Sequence, residues 1–253
     1  MNPRVRKALR TGAVLAFWLL VWTLAAAAVG QELLLPSPLQ TGRKLMELMA
    51  DQSFWLTIGK SILRVLSGIL AAVVLGILLA LVTSRSRLAR ELFSPVMALL
   101  KSTPVASFII LALVWLGRNV VPVVIAGIIV LPVVWANVSA GLAGVDPQLI
   151  ELARVYRLPP LRRLRRITWP SVLPHLRAAL RSALGLGWKA GIAAEVLTVP
   201  PYSIGKRIYE AKIYLETTEL FAWTAVVVLL SVLIEHLLLL LLGTSEEKVD
   251  NNA

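Results

Sequence analysis

No cysteine occurs among the 253 residues, which excludes disulfides, thiolate metal sites and cysteine nucleophiles. Histidine is nearly as scarce: His175 and His236 stand far apart and show no metal-ligand spacing. Acidic residues are also few, 14 against 26 lysines and arginines, for a formal charge of +12. In a soluble protein that excess would suggest nucleic acid. Here the basic residues concentrate between long apolar runs, which is what orientation by positive charge demands. Hydrophobic residues make up 58% of the chain and mean hydropathy is +0.79, beyond a soluble domain. The composition therefore predicts a single all-α membrane domain with the lipid bilayer as partner and no nucleic acid.

Six apolar runs are long enough to cross a bilayer, at about 12–30, 55–83, 95–116, 120–140, 171–199 and 220–242. Arg4, Arg6, Lys7 and Arg10 precede the first. Its Ala25–Ala28 cluster offers small residues of the kind found at signal cleavage sites. At about 18 residues it exceeds the ~7–15 of a signal core, so a retained span is expected. Arginines gather in the N-terminus, in 84–91 and in 146–170, whereas 31–54 and 200–219 are near neutral. The positive-inside rule then places both termini and the 146–170 loop in the cytoplasm.

That loop is too long for an ordinary connection. Asp146-Pro147 reads as a helix start, with an N-cap acceptor and a proline at the first helical position. Leu149, Ile150, Leu152, Ala153, Val155 and Tyr156 form a broad apolar face. Pro159 and Pro160 stop this helix. Leu161, Leu164 and Ile167 resume an apolar stripe among Arg162, Arg163, Arg165 and Arg166, with Pro170 and Pro174 bracketing the return to apolar sequence. Two short helices joined by an elbow are predicted, a docking element. A basic loop lying on anionic headgroups is the other reading of the same arginines.

The loop resembles the cytoplasmic signature of importer-type ABC transporter permeases: Glu-Ala-Ala, three residues, Gly, nine residues, Ile, any residue, Leu-Pro. Glu151, Ala153, Ile167 and Pro170 fall at matching positions. Leu152, Arg157 and Trp169 replace the first alanine (the second position of the motif), the glycine and the leucine. Arg157 is the notable departure, since glycine permits a left-handed turn that arginine resists; Leu158-Pro159-Pro160 is an alternative site for that turn. Leu34–Pro38 and the 185–195 run also resemble the nitrate, sulfonate and taurine subgroup. The resemblance implies the type I importer permease fold, about six helices with a coupling loop. It also implies two ATPase subunits, a second permease copy or paralogue, and a periplasmic or lipid-anchored solute-binding protein. No cofactor is expected on this chain, and Mg-ATP is expected on the ATPase partner. The location implied is the inner or plasma membrane of a prokaryote.

The fifth apolar run carries Ala183, Gly187 and Gly191 at four-residue spacing, a face on which helices can approach closely. Glu195 continues that stripe one turn further out and, with Lys189 and Lys101, is a candidate pathway residue. Lys189 points elsewhere, about 200° around from Gly187 at 3.6 residues per turn. A lysine inside a span should face protein or water. Two readings of Lys189 stand: a pathway cation meeting an anionic substrate, or a structural partner for another helix. Glu235 is a poor partner, being about 10 Å or more away along the membrane normal.

Lys101 precedes Ser-Thr-Pro104, where a broken or kinked helix near the pathway is expected. Lys60 and Arg64 are expected to snorkel to an interface. Pro132 is expected to kink the fourth run, and Glu235-His236 is a weak proton-relay candidate. An ion-driven secondary transporter remains the alternative, but it should show paired helix breaks and internal repeats. An intramembrane enzyme lacks a nucleophile–base or metal cluster.

Overall fold

The computed structural model describes residues 3–241. The last residue of the expected sixth span, Leu242, and the acidic tail lie outside them. All regular structure among the described residues is helical: α1 (Pro3–Val29), α2 (Pro38–Ala50), α3 (Gln52–Arg85), α4 (Arg87–Ser102), α5 (Val105–Trp115), α6 (Val121–Ala143), α7 (Pro147–Val155), α8 (Pro160–Arg163), a π-helical turn (Leu164–Thr168), α9 (Trp169–Thr198), α10 (Ile204–Ile213) and α11 (Thr217–Leu241).

Several helix starts are written in short polar side chains. Ser37 and Gln40 form a reciprocal capping box at α2, with Pro38 in the first turn. Asp51 accepts from the Ser53 N–H at 3.0 Å, and the Ser53 hydroxyl and N–H hold its carboxyl below the ordinary value. Ser86 Oγ accepts from the Ala89 N–H, and Ser203 Oγ from the Lys206 N–H. Each cap satisfies an amide that the helix leaves unpaired.

The core is a three-helix centre in which α6 lies between α3 and α9. Gly68, Ala72, Gly76 and Ala80 recur every four residues along α3 and are all buried. A Cβ on Gly68 would overlap the Val123 carbonyl, and one on Gly76 would lie 3.0 Å from Val134 Cβ. On α9, a Cβ on Gly187 would come within 2.6 Å of Val130, and one on Gly191 within 2.7 Å of Val65. Small residues therefore set the spacing on both sides of α6. Trp135 Nε1 donates to Thr83 Oγ1 at 3.0 Å, tying α6 to α3 in the buried zone. Trp188 Nε1 donates to the Val227 carbonyl, joining α9 to α11.

Among the described residues, four helices are long and apolar enough to cross a membrane: Leu9–Val29, Gln52–Arg85, Val121–Ala143 and Thr217–Leu238. The count becomes five if α4 and α5, bent by 108°, are taken as one span. The expected third run at 95–116 is split between two helices, broken where the kink before Pro104 is expected. Pro104 has no N–H to continue α4, and Thr103 before it is extended at ψ 132°. The 11 residues of α5 reach only about 16 Å, half a bilayer core. The expected fifth span corresponds to α9, whose 30 residues are long enough. Arg177, Arg181, Lys189 and Glu195 keep it out of the strongly apolar set.

Candidate functional site

At one end of the bundle, α7 stands out from the three-helix centre. Asp146 caps it as predicted, accepting from the Gln148 N–H at 2.8 Å with Pro147 in the first turn. The predicted apolar face divides in two. Ala153 is 2% exposed and Ile150 half-buried, whereas Leu149, Leu152, Val155 and Tyr156 are exposed, the last two at 78% and 72%. Glu151 is exposed on the same helix. The inward small residue seats α7 on the bundle, and the outward residues leave an apolar stripe with one carboxylate uncovered.

The turn after α7 is corrected from Leu158-Pro159-Pro160 to Arg157 itself. Arg157 has φ 49°, the left-handed conformation that favours glycine. Leu158 N–H bonds the Ala153 carbonyl at 2.9 Å and Arg157 N–H the Arg154 carbonyl at 3.0 Å. These two bonds are a Schellman cap, so the hydrogen bonding of the turn holds arginine where glycine would sit more easily.

The second predicted short helix is also corrected. α8 runs without interruption through the π turn into α9, so Pro170 and Pro174 sit within a continuous helix instead of bracketing it. Pro170 cannot donate to the preceding turn, and the wider π turn lies just before it. Ile167 is half-buried at this junction, and Pro170 is exposed.

α9 has two faces of opposite character. Ala183, Gly187, Gly191 and Glu195 are buried against α3, α6 and α10. Ser182, Leu186, Lys189, Ala193 and Leu197 form an exposed stripe along the other side. Ala190 and Ala194 beside this stripe pack on Ile109 and Ala112 of α5. Lys189 thus lies on an uncovered face next to the short half-helix. Lys101 is exposed in the last turn of α4, at the break. Glu235 and His236 are exposed on α11.

Glu195 is enclosed, at 0% exposure, and this corrects its expected place on a path. Ser61 Oγ donates to its Oε2 at 2.8 Å, the Gly205 N–H donates to the same oxygen at 3.2 Å, and Arg64 pairs with Oε1. Ser61 Oγ in turn accepts the Ile204 N–H at 2.9 Å. The first amides of α10 and its positive dipole end therefore face the carboxylate. Arg64 also reaches the Pro201 carbonyl. The expectation that Arg64 snorkels is overturned, because its guanidinium satisfies a buried charge. Lys60 instead lies over the Tyr202 ring, 4.0 Å from its centroid. Ser61 and Arg64, three apart on an apolar helix, were the available signal for a partner to Glu195. The 131 residues between Arg64 and Glu195 hid the pairing.

No group of three or more metal-ligating side chains occurs among the described residues. The family described as "Binding-protein-dependent transport system inner membrane component" matches residues 72–251. The taurine transport system permease protein TauC of Escherichia coli (strain K12) is 26% identical over 85% of this chain and 80% of its own. The bicarbonate transport system permease protein CmpB of Synechocystis sp. is 30% identical, covering 77% and 73%. The nitrate import permease protein NrtB of the same cyanobacterium is 27% identical, covering 81% and 77%. Among solved structures, the crystal structure of an amino acid ABC transporter with histidines shares the fold. The TM-score is 0.58, with 17% identity, over 77% of this chain and 94% of that one. The chain belongs to the family of binding-protein-dependent transport system inner membrane components.

Proposed function

We propose that this protein is the permease subunit of an ATP-binding-cassette importer, forming half of a path for a small anion. The observation that carries the reading is the uncovered apolar stripe of α7 with Glu151 beside it. Exposed leucine, valine and tyrosine side chains on a capped helix are what a partner groove would cover. Residues Glu151, Ala153, Arg157, Ile167 and Pro170 form the coupling element for an ATPase subunit, where Mg-ATP is hydrolysed; this chain binds no cofactor and does no catalysis. Ala153 seats the helix, Arg157 turns the chain, and Ile167 and Pro170 join the loop to α9. Motion of the docked partner would pass along the continuous α8–α9 helix to the lysine-bearing face.

A second copy or a paralogue completes the path, two ATPase subunits serve the pair, and a periplasmic or lipid-anchored solute-binding protein delivers substrate. Both termini are cytoplasmic, in the inner or plasma membrane of a prokaryote. Lys189 is the residue proposed to meet the anion, with Lys101 a second cation near the α4–α5 break. The relatives named for nitrate and bicarbonate transport support an anionic cargo. Glu195 is assigned a positioning role, holding α10 against α9.

The test is affinity capture from detergent-solubilised native membranes, wild type beside Glu151→Arg. Co-purification of an ATP-hydrolysing subunit with wild type, and its loss with the variant, is expected. Absence of any such subunit from both would overturn coupling and direct attention to ion-driven uptake.

A further inference from the structure

A second site lies where the later half of the 146–170 loop meets the ends of α3 and α6. The last turns of α3, the end of α6 and the α8–π segment border a half-open cavity of about 490 Å³, with Pro160 at its rim and Leu81, Ser84, Arg85, Leu142, Leu161, Arg163, Leu164 and Thr168 on its walls. Its walls are divided by chemistry. Leu81 and Leu142 stand near the ends of two membrane-crossing helices, and Leu161 and Leu164 face them from the loop, exposed at 75% and 38%. Arg85 and Arg163 supply two guanidinium groups, neither with an ion pair among the described residues, and Ser84 and Thr168 add hydroxyls. Three of the carbonyls near the end of α3 already accept hydrogen bonds. Leu81 accepts the Ser84 hydroxyl, Val82 the Ser86 N–H and Thr83 the Arg90 Nε.

We infer that this cavity binds the headgroup of an anionic phospholipid at the membrane surface. The two arginines take the phosphodiester, since planar guanidinium forks match phosphate oxygens. The leucine walls take the glycerol and the first acyl methylenes. A free phosphate has no use for four leucines, and a neutral annular lipid has none for two unpaired arginines, so the combination selects an amphiphilic anion. Its depth agrees, because the cavity opens where the long helices α3 and α6 leave the apolar zone. This assignment rests on the cavity alone and stands or falls apart from the transport reading.

The test uses the full chain in detergent, delipidated and then titrated with phosphatidylglycerol, phosphatidylcholine or inorganic phosphate, with bound lipid read by native mass spectrometry. Phosphatidylglycerol should be retained in preference to phosphatidylcholine. The R85Q/R163Q double variant should lose that preference by about tenfold to thirtyfold, two basic side chains' worth at a lipid surface. R118Q, an exposed arginine elsewhere, should retain it. Monodispersity and helical circular dichroism show whether the double variant folds. Leu161→Trp, which crowds the cavity without touching its charge, provides an independent loss of retention. Equal retention by wild type and both cavity variants overturns the inference. So does competition by inorganic phosphate as effective as that by phosphatidylglycerol. Loss of a co-purifying ATPase from R85Q/R163Q with lipid retention unchanged overturns it in favour of a protein-docking surface.

Discussion

Arg64 of α3 pairs with Glu195 of α9, joining two helices across 131 residues of sequence at a carboxylate that is fully buried. The pair is completed by Ser61 and by the first amides of α10. Removing one partner of such a pair strands a largely buried charge. Glu195→Ala should therefore lower stability by about 3–5 kcal/mol, and Ser61→Ala by about 1–3 kcal/mol, measured by thermal unfolding in detergent. Arg64→Met combined with Glu195→Leu should be less damaging than the sum of the two changes, since neither charge is then left alone. Wild-type unfolding of Glu195→Ala would show that the node holds nothing together.

Glycines on α3 divide by what surrounds them. Gly68 meets the backbone of α6, whereas Gly59 has nothing within 4 Å of its would-be Cβ. Gly68→Ala should cost about 1–3 kcal/mol because backbone cannot be displaced cheaply. Gly59→Ala should be neutral or stabilising by up to about 1 kcal/mol, through helix propensity alone. Comparing the two unfolding curves checks the α3–α6 register directly.

Arg157 sits at φ 49° in an exposed turn. Arg157→Gly should raise stability by about 1 kcal/mol by relieving the left-handed strain, with ATPase capture retained. Arg157→Val, branched at Cβ, should lower it. If both variants unfold with wild type, the turn is not held in this conformation.

Lys189 is exposed between Leu186 and Ala193 on the uncovered face of α9. Lys189→Met should leave the fold and expression intact and reduce uptake of the transported anion by about tenfold, one lost charge–anion contact of ~1.4 kcal/mol. Unchanged uptake at normal expression would return Lys189 to a structural or interfacial role.

Much of this protein is local and so was legible in the residues. The apolar runs lie in helices over 12–29, 55–83, 121–140 and 220–241, because a bilayer leaves the backbone no other way to satisfy itself. Asp146-Pro147 started α7 because a cap acts within three residues. The signature spacing around Glu151 marked the loop proposed for coupling, by its resemblance to a family pattern. The break at Pro104 was foreshadowed by its missing N–H, but not its size, since a 108° bend depends on what α5 packs against.

The sequence by itself determined membrane class, helical content, several caps and the position of the 146–170 loop, because hydropathy, proline and short polar side chains act over a few residues. Only the tertiary structure decided that Glu195 faces Arg64 and α10 instead of a path, that Arg157 takes the turn, and which half of the α7 face stays uncovered. Each of those depends on which distant helix arrives opposite a given side chain. That is set by the packing of α3, α6 and α9 through their small residues, not by neighbours along the chain.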